Sequence, residues 1–365
     1  MLRRLVIPAA IACSTLCSFP TASAQEPAER FGGRVEVTEV LLDVVVTDRA
    51  GNLVAGLGPE DFVVEEGGAP VAVTGVSFYA TGYPEGTDLG SGPRPAAAIP
   101  ASRYFIFFFD DQRRNAADDP RLLRRQLDAA KRSREWIESE MGPSDWIAVA
   151  SYDVKLKVHA DFTQDRSTLL AAIEEASLGG DPERARGRRP GGSHEEASIL
   201  RRLPRGIDLR RETTRIYDGL RLLAEASGHV VGRKNLLLFS IGFGELGRGP
   251  IALPDRRYYP AMEEALNANN VAVYAIDLTP GGGDHLQSHF LNTLAADTGG
   301  DYHHLFTSFA TPLREIARES TGYYLLSYRA EHPAGESGYR EVEVKTRDRS
   351  LRVRAQNGYR YGSAG

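Results

Sequence analysis

The chain has 365 residues, with 44 lysines and arginines against 49 aspartates and glutamates, two cysteines and a formal net charge of −5. An acidic balance of this kind disfavours nucleic acids and anionic membranes as partners. The length exceeds that of one typical domain, so we expect two packing units.

Residues 1–24 have the pattern of an export signal, with two arginines, an apolar stretch and small residues before a cleavage site near Ala24-Gln25. The apolar stretch is too short to span a bilayer as a helix, and no later stretch is long enough. Both cysteines lie in this segment, so the mature chain would carry no disulfide and no cysteine metal ligand. We therefore expect an exported chain without a membrane span, located in the periplasm or outside the cell.

The two ends of the mature chain predict β-strands. In the N-terminal β segment, 25–80, runs of β-branched residues flank Gly67 and Gly68, which predicts a hairpin. The C-terminal β segment, 321–365, alternates apolar and polar residues in the same manner. We expect the two segments to form one additional β unit. Residues 81–103 are rich in glycine and proline and are predicted to be a linker.

Between these segments, residues 104–320 alternate strand and helix patterns, which predicts a doubly wound, mostly parallel α/β sheet. Its first strand, 104–109, consists of six apolar residues, as expected of a strand buried on both faces. The first long helix is expected to bury Leu123 and Leu127. Residues 178–212 interrupt the pattern with many arginines and glycines, which favours a solvated insertion.

The first strand of the α/β region ends in two acidic residues. Asp110 and Asp111 are followed by Gln112, Arg113 and Arg114. In open α/β sheets, ligands bind at the carboxyl edge of the strands, so these five residues decide what the protein can hold. Because hard cations need several oxygen ligands, we expect the two acids to cap the following loop or to pair with one of the arginines.

Several short sequence blocks follow one another along nearly all of the mature chain. They are VVVTDRAGNLV at 44–54, EDF at 60–62, TRIYD at 214–218, GRK at 232–234, LA at 294–295, TGG at 298–300, YLLSY at 324–328 and GY at 358–359. In order and spacing they resemble the von Willebrand factor A-type (VWA) proteins, in particular the secreted acidobacterial-type VWFA-related family. The resemblance implies a Rossmann-like VWA sheet and a role in adhesion or protein recognition.

Such domains typically carry a metal-ion-dependent adhesion site, formed by Asp-x-Ser-x-Ser, a threonine and a second aspartate. In this chain Asp110 and Thr214 match, whereas Gln112 and Arg114 stand at the serine positions and Ile241 at the second aspartate. The resemblance therefore implies a degenerate site, in which at most Asp110, Gln112 and Thr214 could hold Mg²⁺. No other cofactor is expected.

The run 242–247 matches the dinucleotide-binding pattern G-x-G-x-x-G and follows a predicted strand. That mechanism needs a helix to begin at the run, and the prolines at 250 and 254 disfavour one. We expect a loop that contributes to the carboxyl edge.

His285 and His289 are one helical turn apart and follow Asp284. The spacing is similar to the zinc-protease pattern H-E-x-x-H, but Leu286 occupies the position of the general base. A metal-dependent hydrolase that uses these residues, or Asp110 and Asp111, is therefore an alternative function.

The sequence favours a non-enzymatic, exported protein that recognises an unidentified protein partner. The expected binding face consists of Asp110, Asp111, Gln112, Arg114, Thr214, Gly242 and Gly244. A structural component of the cell envelope is a further alternative.

Overall fold

The computed structural model describes residues 35–81, 99–100, 102–113, 115, 119–182, 198–246, 251–281, 285–304, 307–333 and 335–362. The export signal, Arg114, Gly247, Asp284 and most of the predicted linker lie outside these residues.

The strands are β1 (Val35–Thr47), β2 (Phe62–Glu66), β3 (Ala69–Val71), β4 (Val73–Ala80), β5 (Ile99–Pro100), β6 (Arg103–Asp110), β7 (Asp145–Tyr152), β8 (Leu156–Thr163), β9 (Lys234–Ser240), β10 (Glu245–Leu246), β11 (Ala252–Leu253), β12 (Val271–Asp277), β13 (Tyr302–His303), β14 (Gly322–Pro333), β15 (Gly338–Thr346), β16 (Arg352–Ala355) and β17 (Gly358–Tyr361). The helices are α1 (Pro120–Ser139), α2 (Arg166–Ser177), α3 (Ile207–Glu212), α4 (Ile216–Ser227), α5 (Tyr259–Ala268), α6 (Ser288–Asp297) and α7 (Ala310–Glu319). In the described part of the chain, no helix is both long and apolar enough to cross a membrane.

A six-stranded sheet forms the centre of the α/β region, in the order β13-β12-β9-β6-β7-β8. Its neighbouring strands are parallel except for β8, which runs antiparallel to β7. Strand β6 lies inside the sheet, with Phe105, Phe107 and Phe109 in one core and Ile106 and Phe108 in the other. Both the doubly wound, mostly parallel sheet and the two-sided burial of its first strand are therefore confirmed.

The edge strand β8 was not expected from the sequence, because it alternates apolar residues with polar ones that are buried here. Asp161 accepts hydrogen bonds from Ser198 Oγ at 2.6 Å and from the Ile199 backbone at 2.9 Å. These bonds bring residues 198–203 against the sheet, where Ile199 and Leu203 join the core. Ser198, Ile199 and Leu203 are therefore buried, in contrast to the expected solvated insertion, whereas Arg201 and Arg202 are exposed.

Helix α1 begins as its sequence indicates, since the Asp119 side chain accepts a hydrogen bond from the backbone two residues later. Its buried face differs from the expectation, because Leu122 and Gln126 face inward whereas Leu127 is 37% exposed. Gln126 can be buried because its amide accepts from the Gln112 backbone at 2.7 Å and donates to a carbonyl of α2 at 2.8 Å.

The N- and C-terminal segments form the predicted additional β unit. Strand β14 lies between β1 and β4, and β1 pairs with it from Val35 opposite Pro333 to Val44 opposite Tyr324. A second sheet, in the order β17-β15-β2-β3, contains the Gly67-Gly68 hairpin. Apolar residues of both sheets form a third core.

Candidate functional site

Three neighbouring strands of the central sheet end in polar residues. Asp110 ends β6, Ser240 ends β9 and Asp277 ends β12. Ser240 lies opposite Asp277 in the register, and Phe239 lies opposite Phe109, so the three polar residues form a row at the carboxyl edge. Of the three, only Asp110 was expected from the sequence to lie at the site. A polar residue at the end of a buried strand was the signal that could have revealed the other two.

The Asp110 carboxylate is half-buried and hydrogen-bonded within the protein. Ser240 Oγ donates to its Oδ2 at 2.5 Å, and Gln112 Nε2 donates to the same atom at 3.2 Å and to the Asp110 carbonyl at 2.8 Å. Burial raises the pKa of Asp110 to about 6, and the two side-chain hydrogen bonds oppose that rise. Ser240 Oγ also accepts from the Gly242 backbone at 2.9 Å, which connects the ends of β6 and β9.

Asp111 is buried and bonded to its own loop. It accepts from Arg113 Nε at 2.6 Å and from the Arg113 backbone at 3.0 Å. This ion pair raises the pKa of Arg113. The sequence predicted that the acids would cap the following loop or pair with an arginine, and Asp111 is paired with Arg113.

Gln112 lies beneath the edge and is fully buried. Its Oε1 accepts from Asn115 Nδ2 at 2.9 Å, while its Nε2 is used by Asp110. Gln112 therefore positions Asp110 and is not itself accessible.

The loop before α4 contains two threonines that differ in exposure. Thr214 is exposed, whereas Thr213 is buried and accepts a hydrogen bond from the Leu156 backbone at 3.1 Å. Tyr152 OH donates to the Thr213 carbonyl at 3.2 Å. Tyr152 lies opposite Asp110 in the register of β6 and β7, so this tyrosine lies between the loop of Thr213 and the acid. Burial raises the pKa of Tyr152, and the charges of Asp218 and Asp110 raise it further.

The loop after β9 is fixed to the start of α6. The Gly244 backbone donates to Gln287 Oε1 at 2.8 Å, and Gln287 Nε2 donates back to the Gly244 carbonyl at 3.1 Å. Gly242 has a φ of +91°, and Ile241 packs against the core. As the prolines indicated, no helix begins in the described part of this loop, which instead leads into the β10–β11 hairpin.

Asp277, on the same edge, accepts from two side chains. His285 Nε2 lies 2.6 Å from its Oδ2, and Tyr302 OH donates to the same oxygen at 2.8 Å. His285 Nδ1 accepts from the Gln287 backbone at 3.2 Å, so both ring nitrogens are used. His289 is exposed on α6. His285 is thus bonded to Asp277, and His285 and His289 are not arranged to hold one ion.

At the positions where the resemblance implies Mg²⁺ ligands, the one carboxylate, Asp110, is already hydrogen-bonded within the protein. Hard cations need several oxygen acceptors, whereas Asp110 is approached by an N–H of Gln112 and the hydroxyl of Ser240, and Ile241 offers no oxygen from its side chain. Among the described residues, no group of three or more His, Cys, Asp or Glu side chains could hold a metal ion.

Three exposed apolar side chains lie on loops at this edge. Ile251, Leu253 and Leu286, which we call the rim patch, are 49%, 49% and 50% exposed. The Ala252 backbone donates to the Leu286 carbonyl at 2.7 Å, which holds the hairpin after β9 against the segment before α6. The rim patch therefore spans the loops that follow two neighbouring strands.

Two arginines lie close to one tyrosine beside the rim patch, since Arg257 is 3.6 Å from Glu245, which pairs with Leu253. The guanidinium carbons of Arg215 and Arg257 lie 4.2 Å and 5.2 Å from the Tyr258 ring centroid. We call these three residues the Arg–Tyr–Arg stack. Tyr258 directly precedes α5, which leads into the parallel strand β12, so the stack also lies at the carboxyl edge.

No family model matches the sequence, and no curated protein does. Among solved structures, the chain is similar to proximal thread matrix protein 1 from the mussel byssus, with 14% identity, 59% of this chain and 47% of that chain covered, and a TM-score of 0.35. It is also similar to BatB from Bacteroides thetaiotaomicron (14% identity, 60% and 99% covered, TM-score 0.35) and to the ArnB paralog VWA2 from Sulfolobus acidocaldarius (9% identity, 89% and 75% covered, TM-score 0.33).

The last of these proteins carries the name of the class that the sequence blocks resemble. The chain spans about half the length of the mussel protein. With TM-scores below 0.5, these similarities carry no argument about function.

Proposed function

We propose that this chain is an exported, non-enzymatic VWA-type protein that recognises a protein partner through the carboxyl edge of its central sheet. The observation that carries the proposal is the rim patch beside the Arg–Tyr–Arg stack. Exposed apolar side chains grouped on one face mark interaction sites, and tyrosine and arginine are enriched among the residues that dominate binding energy.

We further propose that recognition at this edge needs no bound Mg²⁺ and that the adhesion-type site is degenerate. The hydrogen bonds of Gln112 and Ser240 to Asp110 supply part of the compensation that a cation would give the carboxylate. The residues that would contact a partner are then Thr214, the rim patch and the two arginines of the stack, which are exposed, with the half-buried Tyr258 between the arginines and Gly242 and Gly244 in the loop beneath.

A charge placed on the rim patch tests the recognition proposal. The purified chain and a Leu253→Asp/Leu286→Asp variant would be immobilised and exposed to envelope and extracellular extracts of the source cells, and retained proteins would be identified by mass spectrometry. We expect at least one protein retained by the wild type and lost from the variant, because a buried unpaired carboxylate is costly at an interface.

Val231→Asp is the matched control. Val231 is 91% exposed and precedes β9, so it lies at the opposite, amino edge of the sheet. The control variant should retain the same proteins as the wild type. Identical sets of retained proteins for all three chains would contradict recognition through the carboxyl edge.

Thermal unfolding with and without millimolar Mg²⁺ tests the metal part of the proposal. An ion bound at a hundredfold excess over its dissociation constant would stabilise the native state by about 2.7 kcal/mol. We expect no change in the midpoint. A rise that Asp110→Ala abolishes would establish a metal site at this carboxylate. Export is tested separately, since the N-terminus of the protein recovered outside the cytoplasm should be Gln25.

A further inference from the structure

A small cavity lies where the antiparallel β unit contacts the amino end of the central sheet. The first sheet contributes Val45, Tyr79 and Tyr323 to its lining, and the central sheet contributes Arg233 and Asn235. Its volume is about 20 Å³. A water molecule needs roughly 10–15 Å³ of such volume, so the cavity has room for one water and excludes organic ligands.

Two side chains that line this cavity keep unused hydrogen-bonding atoms. Arg233 is 7% exposed and Asn235 is 3% exposed. Arg233 Nε and Asn235 Oδ1 are both buried without a hydrogen-bond partner among the described residues. Leaving a buried polar atom unpaired destabilises the folded state, so two such atoms beside one cavity point to a ligand that serves both.

The other atoms of the two side chains are already committed. Arg233 Nη2 donates to the Gly299 carbonyl at 2.5 Å, and Asn235 Nδ2 donates to the Tyr104 carbonyl at 3.3 Å. These bonds fix the orientation of both side chains. Arg233 directly precedes β9 and Asn235 is its second residue, and both side chains line the cavity.

The charges around the cavity select a neutral ligand. Arg103 and Arg233 line it, which disfavours a cation. Asn235 Oδ1 presents an acceptor, and Asp145 already pairs Arg103 through two hydrogen bonds, which disfavours an anion. The unused atoms are one donor and one acceptor, and water can satisfy both.

We propose that this cavity binds one ordered water molecule, which accepts a hydrogen bond from Arg233 Nε and donates one to Asn235 Oδ1. The water is bonded to the start of β9, beneath the β unit that lines the other side of the cavity, and is part of the folded structure. This binding site is independent of the proposed recognition at the opposite edge of the sheet.

A crystal structure of the full chain at atomic resolution tests the proposal directly. We expect density for one water within hydrogen-bonding distance of both atoms, about 2.7–3.2 Å. An empty cavity, or a direct bond between Arg233 Nε and Asn235 Oδ1, would overturn the proposal. This test requires no variant.

Magnetic relaxation dispersion counts long-lived internal waters in solution and supplies a second test. Asn235→Leu removes the acceptor and fills space, so the count should fall by one, whereas Asn235→Asp keeps an acceptor oxygen and should keep the count. Ser102→Ala, which lines the cavity at an exposed position, is the control and should also leave the count unchanged. An unchanged count in a folded Asn235→Leu variant would refute the site. Should that variant fail to fold, the wild-type density decides the question.

Discussion

Replacing Asp43 by asparagine should stabilise the protein at neutral pH. Asp43 lies on β1, is 4% exposed, and its Oδ2 has no hydrogen-bond partner among the described residues. Burial raises the pKa of this carboxyl from 3.8 to about 6, although the charges of Arg233 and Lys234 oppose the rise. The charged form is therefore less stable in the folded protein than in the unfolded chain.

The magnitude follows from linkage between protonation and folding. A group whose pKa is higher in the folded state contributes stability below its unfolded pKa and loses it as the pH rises through the folded value. For a rise from 3.8 to about 6, the loss is on the order of 1 kcal/mol at pH 4.5 and on the order of 3 kcal/mol from pH 7 upward. The Asp43→Asn variant, which is uncharged at all pH values, should avoid this loss.

Urea unfolding at pH 4.5 and pH 7.5, followed by tryptophan fluorescence, measures both values. Glu39→Gln is the matched control, because Glu39 lies on the same strand but is exposed. We expect a gain for Asp43→Asn that grows between the two pH values and no gain for the control. A variant less stable than the wild type at pH 7.5 would refute the reasoning, since it would mean that Arg233 and Lys234 more than compensate for burial.

Three further substitutions test other parts of the structure. Burial raises the pKa of Glu263 from 4.5 to about 7, so wild-type stability is lost as the pH rises through this range. Glu263→Gln should reduce that loss by about 1 kcal/mol in thermal melts. The value is small because the side chain is partly solvated. Asp145 binds the Arg103 guanidinium at 2.5 and 2.6 Å, and Asp145→Ala should cost about 3–5 kcal/mol in urea unfolding because it leaves that charge buried and unpaired. Gly242 has a φ of +91°, and a Cβ there would lie 2.5 Å from Gln287 Cβ, so Gly242→Ala should cost about 1–3 kcal/mol in thermal melts.

The outcomes that would contradict these expectations differ. For Glu263→Gln, it is a pH profile that superimposes on that of the wild type. For Asp145→Ala, it is a loss below about 1 kcal/mol, the range of a solvated pair. Gly281→Ala is the control for Gly242, because Gly281 has a φ of +124° but, among the described residues, no atom within 4 Å of the Cβ that alanine would add. An equal loss in both variants would mean that backbone strain, and not the contact with Gln287, is responsible.

The central sheet could be predicted because its strands are buried on both faces, and a run such as 104–109 reports that burial directly. Strand β8 could not, because Lys157, His159 and Asp161 are buried through hydrogen-bond partners outside the strand. The pattern of hydrophobic residues carries no information about such partners. The same reason explains why Gln126, a polar residue, lies on the inner face of α1.

The candidate site was only partly predictable. Asp110 could be predicted because it ends a strand of consecutive apolar residues. Ser240 and Asp277 can be recognised as site residues only once the strand order places them beside it. The choice between Thr213 and Thr214 depends on which hydroxyl the fold buries, and sequence alone does not contain that information. The rim patch consists of residues from two separate loops, so no single segment of the sequence displays it.

The pairing of β1 with β14 has a consequence for how the protein is made. Val35 lies opposite Pro333, so the earliest described strand waits for nearly the entire polypeptide before its backbone can be paired on that side. Contacts of such high sequence separation form slowly, and an unpaired apolar strand is a template for aggregation in the meantime. The α/β region, whose strands are closer in sequence, can complete its core first. In the newly synthesised chain, β1 therefore stays without this partner strand until β14 has been made.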